Sequence, residues 1–599
     1  KNADHIVMNT NHLKKFAQGA RRKLLNQVET KLDYVLNTDS AELREKASQL
    51  RELRRELERS TQAQLIDKVA YTWFNRFMAL RFMDANDYQP VGIRVLTPKD
   101  GYTQPELLDE AKQGHIPDDL PVNKQHIFDL LDGKINSSNP QNEAYKELLI
   151  GACNHLNKVF PFLFERIDDF SELLMPDDLI SEFSIVQDIR DGMTSEDCQE
   201  VEIIGWLYQF YISEKKDELI NAKKRYNPDE IAPVTQLFTP KWIVRYMVDN
   251  TLGQFWKETV PNTTITDDLE FYIKPNNPEL IPQRSVKSPE EIKFFDPCVG
   301  SAHILCYAFD VLYKIYEGEG YNPSEIPELI ISKNLFGIDI DIRASQLAGF
   351  ALMMKGRKYH RRFLRKNIDP NITYFQNDNS HPSFKNANIL GSLIHVNESE
   401  LDKFTVDESS LFAKGQKQLV KQATLLASKY DIVVTNPPYL NSSYMDNALK
   451  QFVVKEYKDS KSDLFACFLI QVMNLTKKDG LIGFISPYVW MFISSYEKLR
   501  NTVITKSTIT SLIQLEYNAF EPACVPIATL TLRNKFIEDY KGSYIKLSDF
   551  KGHQSQAPKT LEAIQKPDCS WFYTANQKDF EKIPGSPIGY WLSDRIYRI

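Results

Sequence analysis

Phe294-Phe-Asp296-Pro-Cys-Val-Gly300-Ser-Ala-His303 is the stretch of sequence that decides the fold. Two aromatic residues lead into a carboxylate, a turn of proline and small residues follows, and an apolar helical pattern begins near residue 303. This order predicts a buried strand, a tight turn and a helix. Gly300 and Ser301 are small enough to let the backbone approach a ligand closely. The segment is therefore a candidate binding loop.

Short apolar runs and helical stretches continue to alternate after residue 234. Strands are predicted at residues 292–295, 334–338, 430–435, 481–485 and 513–515. Helices are predicted near residues 303–316 and 343–355. This alternation predicts an α/β fold built on a mixed, mostly parallel sheet. Because ligands bind at the carboxyl ends of such strands, functional residues are expected directly after each one.

Polar residues follow two more of the predicted strands. Asp339 ends the run Phe336-Gly-Ile-Asp339, where a carboxylate can accept hydrogen bonds from both hydroxyls of a ribose. Asp341 is better explained as a helix cap. Asn436-Pro437-Pro438-Tyr439 follows the apolar run Tyr430-Asp-Ile-Val-Val-Thr435.

The Asn-Pro-Pro-Tyr segment predicts a site for a planar amine. Two consecutive prolines stiffen the turn, so the Asn436 side-chain oxygen and the Pro437 carbonyl can both accept from one NH₂ group. Tyr439 supplies a flat face beside them. Fixing both hydrogens favours a nitrogen with an available lone pair, and attack on an activated methyl group then needs mostly positioning.

In this order the segments resemble the S-adenosylmethionine-dependent amino-methyltransferases of DNA, in their gamma arrangement. Further matches are Gln236-Leu-Phe-Thr239-Pro240, Ser462-Asp463-Leu-Phe, Asp479 to Pro487 and the segment around Phe520. The resemblance implies a Rossmann-like core that binds S-adenosylmethionine and flips an adenine between Tyr439 and Phe520. Thr239 would contact the methionine carboxylate.

The resemblance also assigns the other site residues. Cofactor binding falls to Thr239, Pro240, Asp296, Pro297, Gly300, Ser301 and Asp339, and catalysis falls to Asn436, Pro437, Pro438, Tyr439 and Phe520. Two departures from the family pattern stand out. The cofactor loop reads Gly-Ser-Ala-His rather than Gly-Ser-Gly. The acid expected to contact the cofactor adenine has no clean match, and the sequence does not choose between Asp378 and Ser392 as the contacting residue.

The overall layout resembles the N-terminal portion of the PglX family, the adenine-specific DNA methyltransferases of BREX phage-defence systems. A mainly helical domain is expected over residues 1–230, the methyltransferase domain over 231–535, and the start of a target-recognition region over 536–599, with the remainder expected outside this chain. The implied function is site-specific adenine-N6 methylation of double-stranded DNA, together with other proteins of a phage-defence system. Two alternatives stay open: methylation of another planar amine (release-factor glutamine or RNA guanine-N2), and an S-adenosylmethionine-sensing DNA-binding subunit.

Composition sets outer bounds on these expectations. The 599 residues carry 73 Lys and Arg against 80 Asp and Glu, a net charge of −7, which by itself disfavours a general polyanion binder. A basic run at residues 355–366 could bind phosphates or, equally, form a solvated helix or a contact with a partner. The seven scattered cysteines, the absence of a long apolar run and the lack of a signal-peptide pattern favour a reduced, cytoplasmic protein.

Several motifs are expected to carry no chemistry. Cys298 follows a proline, as in cytosine methyltransferases, but lies in the cofactor loop and is not expected to be a nucleophile. His303 is expected to pack against its surroundings. Glu29-Thr-Lys31 has nuclease-like spacing but lies in helical sequence. No metal site is expected.

Overall fold

The computed structural model describes residues 10–164, 170–410, 413–520 and 525–592. The chain divides into two compact units, of which one comprises Lys1–Glu214 with Arg361–Ile368 and the other Lys215–His360 with Asp369–Ile599. The domain borders expected at residues 231 and 536 remain predictions.

The regular secondary structure in the described residues of the first unit is entirely helical, and loops connect the helices. The helices up to the end of this unit are α1 Thr10–Asn37, α2 Ala41–Glu45, α3 Ala47–Arg59, α4 Gln62–Ala85, α5 Glu106–Lys112, α6 Lys124–Leu131, α7 Pro140–Leu156, α8 Ile185–Gly192 and α9 Glu202–Asn221. Helix α4 begins with a capping box between Thr61 and Gln64, and it buries Trp73, Phe74 and Phe77 completely. The predicted N-terminal helical region is confirmed.

The second unit contains all the strands of the described residues. They are β1 Phe294–Asp296, β2 Leu335–Asp339, β3 Asn371–Tyr374, β4 Tyr430–Thr435, β5 Thr476–Pro487, β6 Thr508–Gln514, β7 Ile527–Arg533, β8 Lys541–Lys546 and β9 Phe572–Asn576. They form one sheet in the order β3-β2-β1-β4-β5-β7-β6-β8-β9. The first five strands in this order, β3, β2, β1, β4 and β5, are parallel to one another. Strand β7 pairs antiparallel with both β5 and β6. The mixed, mostly parallel sheet is confirmed.

Helices alternate with these strands, as predicted. They are α10 Pro228–Thr235, α11 Lys241–Val248, α12 Gln254–Thr259, α13 His303–Gly318, α14 Ile326–Leu329, α15 Ile342–Tyr359, α16 Ala387–Leu390, α17 Ala413–Ala427, α18 Asn447–Glu456, α19 Leu464–Leu475, α20 Glu497–Lys506 and α21 His553–Gln565. The proline-containing segment at residues 226–233 favours a turn by its sequence, but most of it lies in α10. Asn227 and Glu230 form a capping box there, and Pro228 occupies the first helical turn, where its missing N–H costs nothing.

The centre of the sheet brings four strand ends to one edge. Strand β1 lies between β2 and β4, with Asp296 opposite Gly337 in the register, and β3 pairs beyond β2. Because these strands are parallel, their carboxyl ends meet at the same edge, and the residues that follow them are neighbours despite large separations in sequence.

Residues after 535 continue the same sheet. Strand β8 pairs parallel with β6, and β9 pairs antiparallel with β8. A role for residues 536–599 in target recognition remains a prediction. Throughout the described part of the chain, every helix is too short or too polar to cross a membrane.

Candidate active site

Asp296 is the buried carboxylate at the end of β1. Its Oδ1 accepts a hydrogen bond from the Cys298 N–H at 3.0 Å and from the Thr435 hydroxyl at 2.8 Å. Burial raises the pKa of Asp296 to about 7, although the Thr435 hydroxyl and the Cys298 N–H act in the opposite direction. A carboxyl group in this state favours a cationic partner, because a nearby positive charge compensates for the lost hydration.

Asp339 ends the neighbouring strand β2 and is also almost buried. Its Oδ2 accepts from the Gly300 N–H and its Oδ1 from the Asp341 N–H, both at 2.9 Å. Burial raises the pKa of Asp339 to about 6. Each carboxylate oxygen keeps lone-pair capacity for a second donor, so the group remains able to accept from two hydroxyls. Asp341 caps α15 by accepting from the Arg343 N–H at 2.9 Å, and its predicted role as a cap is confirmed.

The loop after β1 has left-handed backbone at two positions. Gly300 has φ +51° and Ala302 has φ +65°, the second of which is unfavourable for a residue with a Cβ. A Cβ added at Gly300 would lie 3.1 Å from Gln236 Nε2, so the absence of a side chain leaves room beside the loop. The positive φ of Ala302 strains the backbone there, whereas glycine, the usual family residue, would adopt that angle without strain.

Asn436 begins the segment after β4 and is held at both ends of its amide group. Its Nδ2 donates to the Leu237 carbonyl at 3.2 Å and to the Thr239 hydroxyl at 3.1 Å. Its Oδ1 accepts from the Tyr439 hydroxyl at 2.9 Å. Because a backbone carbonyl only accepts, the amide nitrogen must face Leu237, and the oxygen is thereby directed towards Tyr439.

The rest of this segment is anchored by Asp463. The Asp463 carboxylate accepts from the Leu440 N–H at 2.9 Å and caps α19 through the Phe465 N–H. The Tyr439 ring packs edge-on against Phe465, with ring centroids 6.3 Å apart. Pro437 is buried, whereas Pro438 is half-buried. Asp463 thus fixes the exit of the Asn-Pro-Pro-Tyr segment.

The remaining predicted site residues lie in the same unit. Pro240 precedes α11 as its N-terminal cap residue, and Pro297 and Ser301 belong to the loop after β1. Phe520 is buried after β6. Its predicted stacking opposite Tyr439 stays a prediction, as do the cofactor and catalytic roles of the whole set.

The two candidates for the adenine contact differ in their surroundings. Ser392 is buried, and its hydroxyl donates to the Pro297 carbonyl at 2.6 Å, which ties it to the loop after β1. Asp378 is half-buried and accepts from the Ser380 N–H at 2.7 Å within a local turn. The choice between them stays a prediction.

The surroundings of Cys298, His303 and Lys355 assign each of them a structural setting. Burial raises the pKa of the Cys298 thiol well above its usual range, which suppresses a nucleophilic thiolate. His303 stacks on Phe238, with centroids 4.3 Å apart. Within the basic run, Lys355 is buried and pairs with Asp310 at 2.6 Å, so its charge is already neutralised. The described residues contain no cluster of three or more potential metal ligands.

Sequence reasoning missed two groups that organise the site. Thr435 is fully buried and joins the end of β4 to Asp296, and the carbonyl of Leu237 orients Asn436. Thr435 carries a weak signal, since it is the polar residue that ends an otherwise apolar strand. The Leu237 carbonyl carries none, because every residue has one.

Comparison with known proteins shows similarity to adenine-specific methyltransferases. The family model described as the Eco57I restriction-modification methylase matches residues 333–520. The adenine-specific methyltransferase BrxX of Escherichia coli O9:H4 (strain HS) is 36% identical over 600 residues, covering 88% of this chain and 48% of BrxX. The adenine-specific methyltransferase PglX of Lacticaseibacillus casei (strain Zhang) is 36% identical over 591 residues, covering 89% of this chain and 49% of PglX.

The chain spans about half the length of the curated relatives it matches. Among solved structures, the ATP-dependent Type ISP restriction-modification enzyme LlaBIII bound to DNA aligns with a TM-score of 0.44 and 12% identity. That alignment covers 94% of this chain and 31% of LlaBIII.

Proposed function

We propose that this chain, which is 36% identical to the adenine-specific methyltransferases BrxX and PglX, transfers a methyl group from S-adenosylmethionine to the N6 amine of adenine in DNA. One observation carries the proposal. Asn436 directly follows β4, and its amide is held so that its oxygen acceptor lies beside Tyr439. Strand β4 pairs with β1, which ends at the buried Asp296. An amine acceptor and a carboxylate suited to a cation therefore occupy adjacent strand ends.

The two carboxylates at the ends of β1 and β2 would hold the cofactor. Asp339 would accept from the ribose hydroxyls, while Asp296 would favour the positive charges of the methionine part. Thr239 and Pro240, together with Pro297, Gly300 and Ser301, would surround it, and the backbone at Gly300 leaves space for close approach. When bound, S-adenosylmethionine supplies an activated methyl group.

The residues after β4 would hold the adenine amine. The Asn436 oxygen and the Pro437 carbonyl would accept its two hydrogens, with Pro438 stiffening the turn. The Asn436 oxygen has two lone pairs, so it can accept from the incoming amine as well as from the Tyr439 hydroxyl. Tyr439 would stack on the base opposite Phe520, as flipped bases are usually held.

Double-stranded DNA and other proteins of a phage-defence system are the proposed partners, and the cytoplasm is the proposed location. The net charge of −7 is compatible with DNA binding only if positive charge is concentrated locally. Arg361, Arg362 and Arg365 of the basic run are exposed and would suit contact with phosphates, whereas Lys355 is engaged by Asp310.

The test is sequencing of genomic DNA for 6-methyladenine after expression of the full-length protein from its native operon. The wild type is expected to methylate a defined site, and Asn436→Ala to abolish that methylation. Asn441→Ala, which truncates an exposed asparagine of the same loop, is the matched control and should leave methylation intact. Methylation by Asn436→Ala at the wild-type level would exclude the proposed mechanism.

A further inference from the structure

We infer that the Thr239 hydroxyl is a positioning group for methyl transfer, which holds the amide of Asn436 in its productive orientation. The inference rests on the proposed function, because it concerns the group that receives the amine. It assigns Thr239 a role beyond contact with the cofactor, since its oxygen lies 3.1 Å from Asn436 Nδ2.

The contact joins distant parts of the chain in a buried setting. Thr239 precedes α11 and is only 5% exposed, and it lies 197 residues from Asn436 in sequence. The Asn436 nitrogen donates there and to the Leu237 carbonyl, so both of its acceptors come from one short segment. Such an arrangement restrains rotation of the amide about its terminal bond.

Restraining this rotation matters because the two ends of the amide differ chemically: one is an acceptor oxygen and the other is a donor NH₂ group. If the group rotated by half a turn, its NH₂ would face the incoming amine, and two donors would meet with no acceptor. The Leu237 carbonyl only accepts, so it favours the orientation in which the NH₂ group faces it. The Thr239 oxygen provides a second acceptor, and a hydroxyl that accepts this bond keeps its own hydrogen to donate elsewhere.

A positioning role and a cofactor-binding role predict different kinetics. A residue that only binds cofactor changes the concentration at which the rate saturates, and leaves the saturated rate unchanged. A residue that orients Asn436 changes the saturated rate, because the amine is then held less often in the reactive geometry. The two roles are therefore separable by measuring both parameters.

The experiment uses full-length protein purified from its native operon, with labelled S-adenosylmethionine and genomic DNA from a host that lacks the gene. Thr239→Val removes the hydroxyl at nearly constant volume and is expected to lower the saturated rate of methyl transfer about tenfold, the effect of losing one well-placed hydrogen bond. Thr239→Ser keeps the hydroxyl and should stay within about twofold of the wild type.

The matched control is Thr259→Val, which removes a similarly buried hydroxyl that donates only to the Phe255 carbonyl within α12. It should leave the saturated rate unchanged. If Thr239→Val does not fold, Thr239→Cys replaces it, since sulfur is a weak acceptor and the same loss is expected.

The outcomes are distinct. A saturated rate for Thr239→Val equal to that of the wild type, with only a higher cofactor requirement, would overturn the inference and leave the proposed function standing. Absence of methyl transfer by the wild type itself would overturn the proposed function and the inference together. Loss of the saturated rate in Thr239→Val, with recovery in Thr239→Ser, supports the positioning role.

Discussion

Two neighbouring regions of one sheet edge use different kinds of polar group. The ends of β1 and β2 present Asp296 and Asp339, buried carboxylates whose pKa values burial raises to about 7 and about 6. The end of β4 presents Asn436, a neutral amide held by neutral partners. Ionisable carboxyl groups therefore lie where the proposed cationic cofactor would bind. A neutral amide lies where the proposed uncharged amine would react.

The physical reason lies in the cost of burying charge. An ionised carboxylate in a protein interior needs donors or a cationic partner, and both aspartates accept backbone N–H bonds from the loops beside them. A carboxylate at position 436 would stabilise a protonated, unreactive amine. An amide accepts the same hydrogens without that effect.

The largest effect is expected from removing the neutral amide that follows β4. Asn436→Ala should reduce the rate of methyl transfer at saturating cofactor by about 10²–10³-fold, by analogy with loss of a preorganised catalytic hydrogen bond. Cofactor affinity, measured by titration calorimetry, should change by less than about twofold, because the carboxylate side is intact. A parallel loss of cofactor affinity would show that the two regions do not act separately.

Removing a carboxylate at the end of β1 or β2 should have the reverse effect and mainly reduce the affinity for the cofactor. Asp339→Ala should weaken S-adenosylmethionine binding roughly tenfold to a hundredfold, since hydrogen bonds to a charged group contribute about 1.5–3 kcal/mol each. Asp341→Ala is the matched control, because it removes a nearby carboxylate that caps α15. Equal cofactor affinity for Asp339→Ala and the wild type, measured by calorimetry, would remove Asp339 from the cofactor site.

Cofactor binding should also depend on pH. The pKa of Asp296 is raised to about 7 in the free protein, so the group is increasingly protonated as the pH falls below that value. A cationic ligand favours the ionised form and lowers this pKa, so binding releases a proton. Affinity should therefore be highest above about pH 7 and fall with decreasing pH, approaching tenfold per unit.

Calorimetry in buffers of different ionisation enthalpy measures this proton release directly. Asp296→Asn removes the titrating group and should flatten that part of the profile. An affinity that increases as the pH falls below about 7 would contradict the assignment of Asp296 to the cationic part of the cofactor.

The smallest effect is expected at Ala302. Its φ of +65° costs about 1 kcal/mol in an alanine, and glycine adopts it without that strain. Ala302→Gly should therefore change the free energy of unfolding by no more than about 1 kcal/mol, as strain relief is partly offset by the greater chain entropy of glycine. Denaturant unfolding provides the measurement. A large destabilisation would mean that the Ala302 methyl group, which is buried, contributes more by packing than it costs in strain.

Strands and their ends were the most predictable features of the second unit. Tyr430–Thr435 was predicted residue for residue, because its apolar run is bounded by charged and proline-containing sequence. Strand β5 extends over Thr476–Pro487, well before the predicted start at residue 481, and includes exposed lysines that its apolar pattern excludes. The lysines lie at an irregularity of the β4–β5 ladder, between the pairs Tyr430–Thr476 and Ile432–Leu481, where local apolar patterning is not required.

Partners across the sheet were not predictable in the same way. The Thr435 hydroxyl reaches Asp296 across 139 residues of sequence, and the Asn436 amide reaches Thr239 across 197. Neither pairing leaves a trace in local periodicity, since each depends on which strands become neighbours.

The sequence by itself determined where the candidate functional groups lie, because strand-ending carboxylates and the Asn-Pro-Pro-Tyr segment are local patterns with local physical causes. Only the tertiary structure decided how those groups are held: which hydroxyl reaches Asp296, which way the Asn436 amide faces, and that Lys355 of the basic run is neutralised by Asp310. The reason is that hydrogen bonds are short and directional, so their partners are set by the packing of parallel strands rather than by neighbours along the chain.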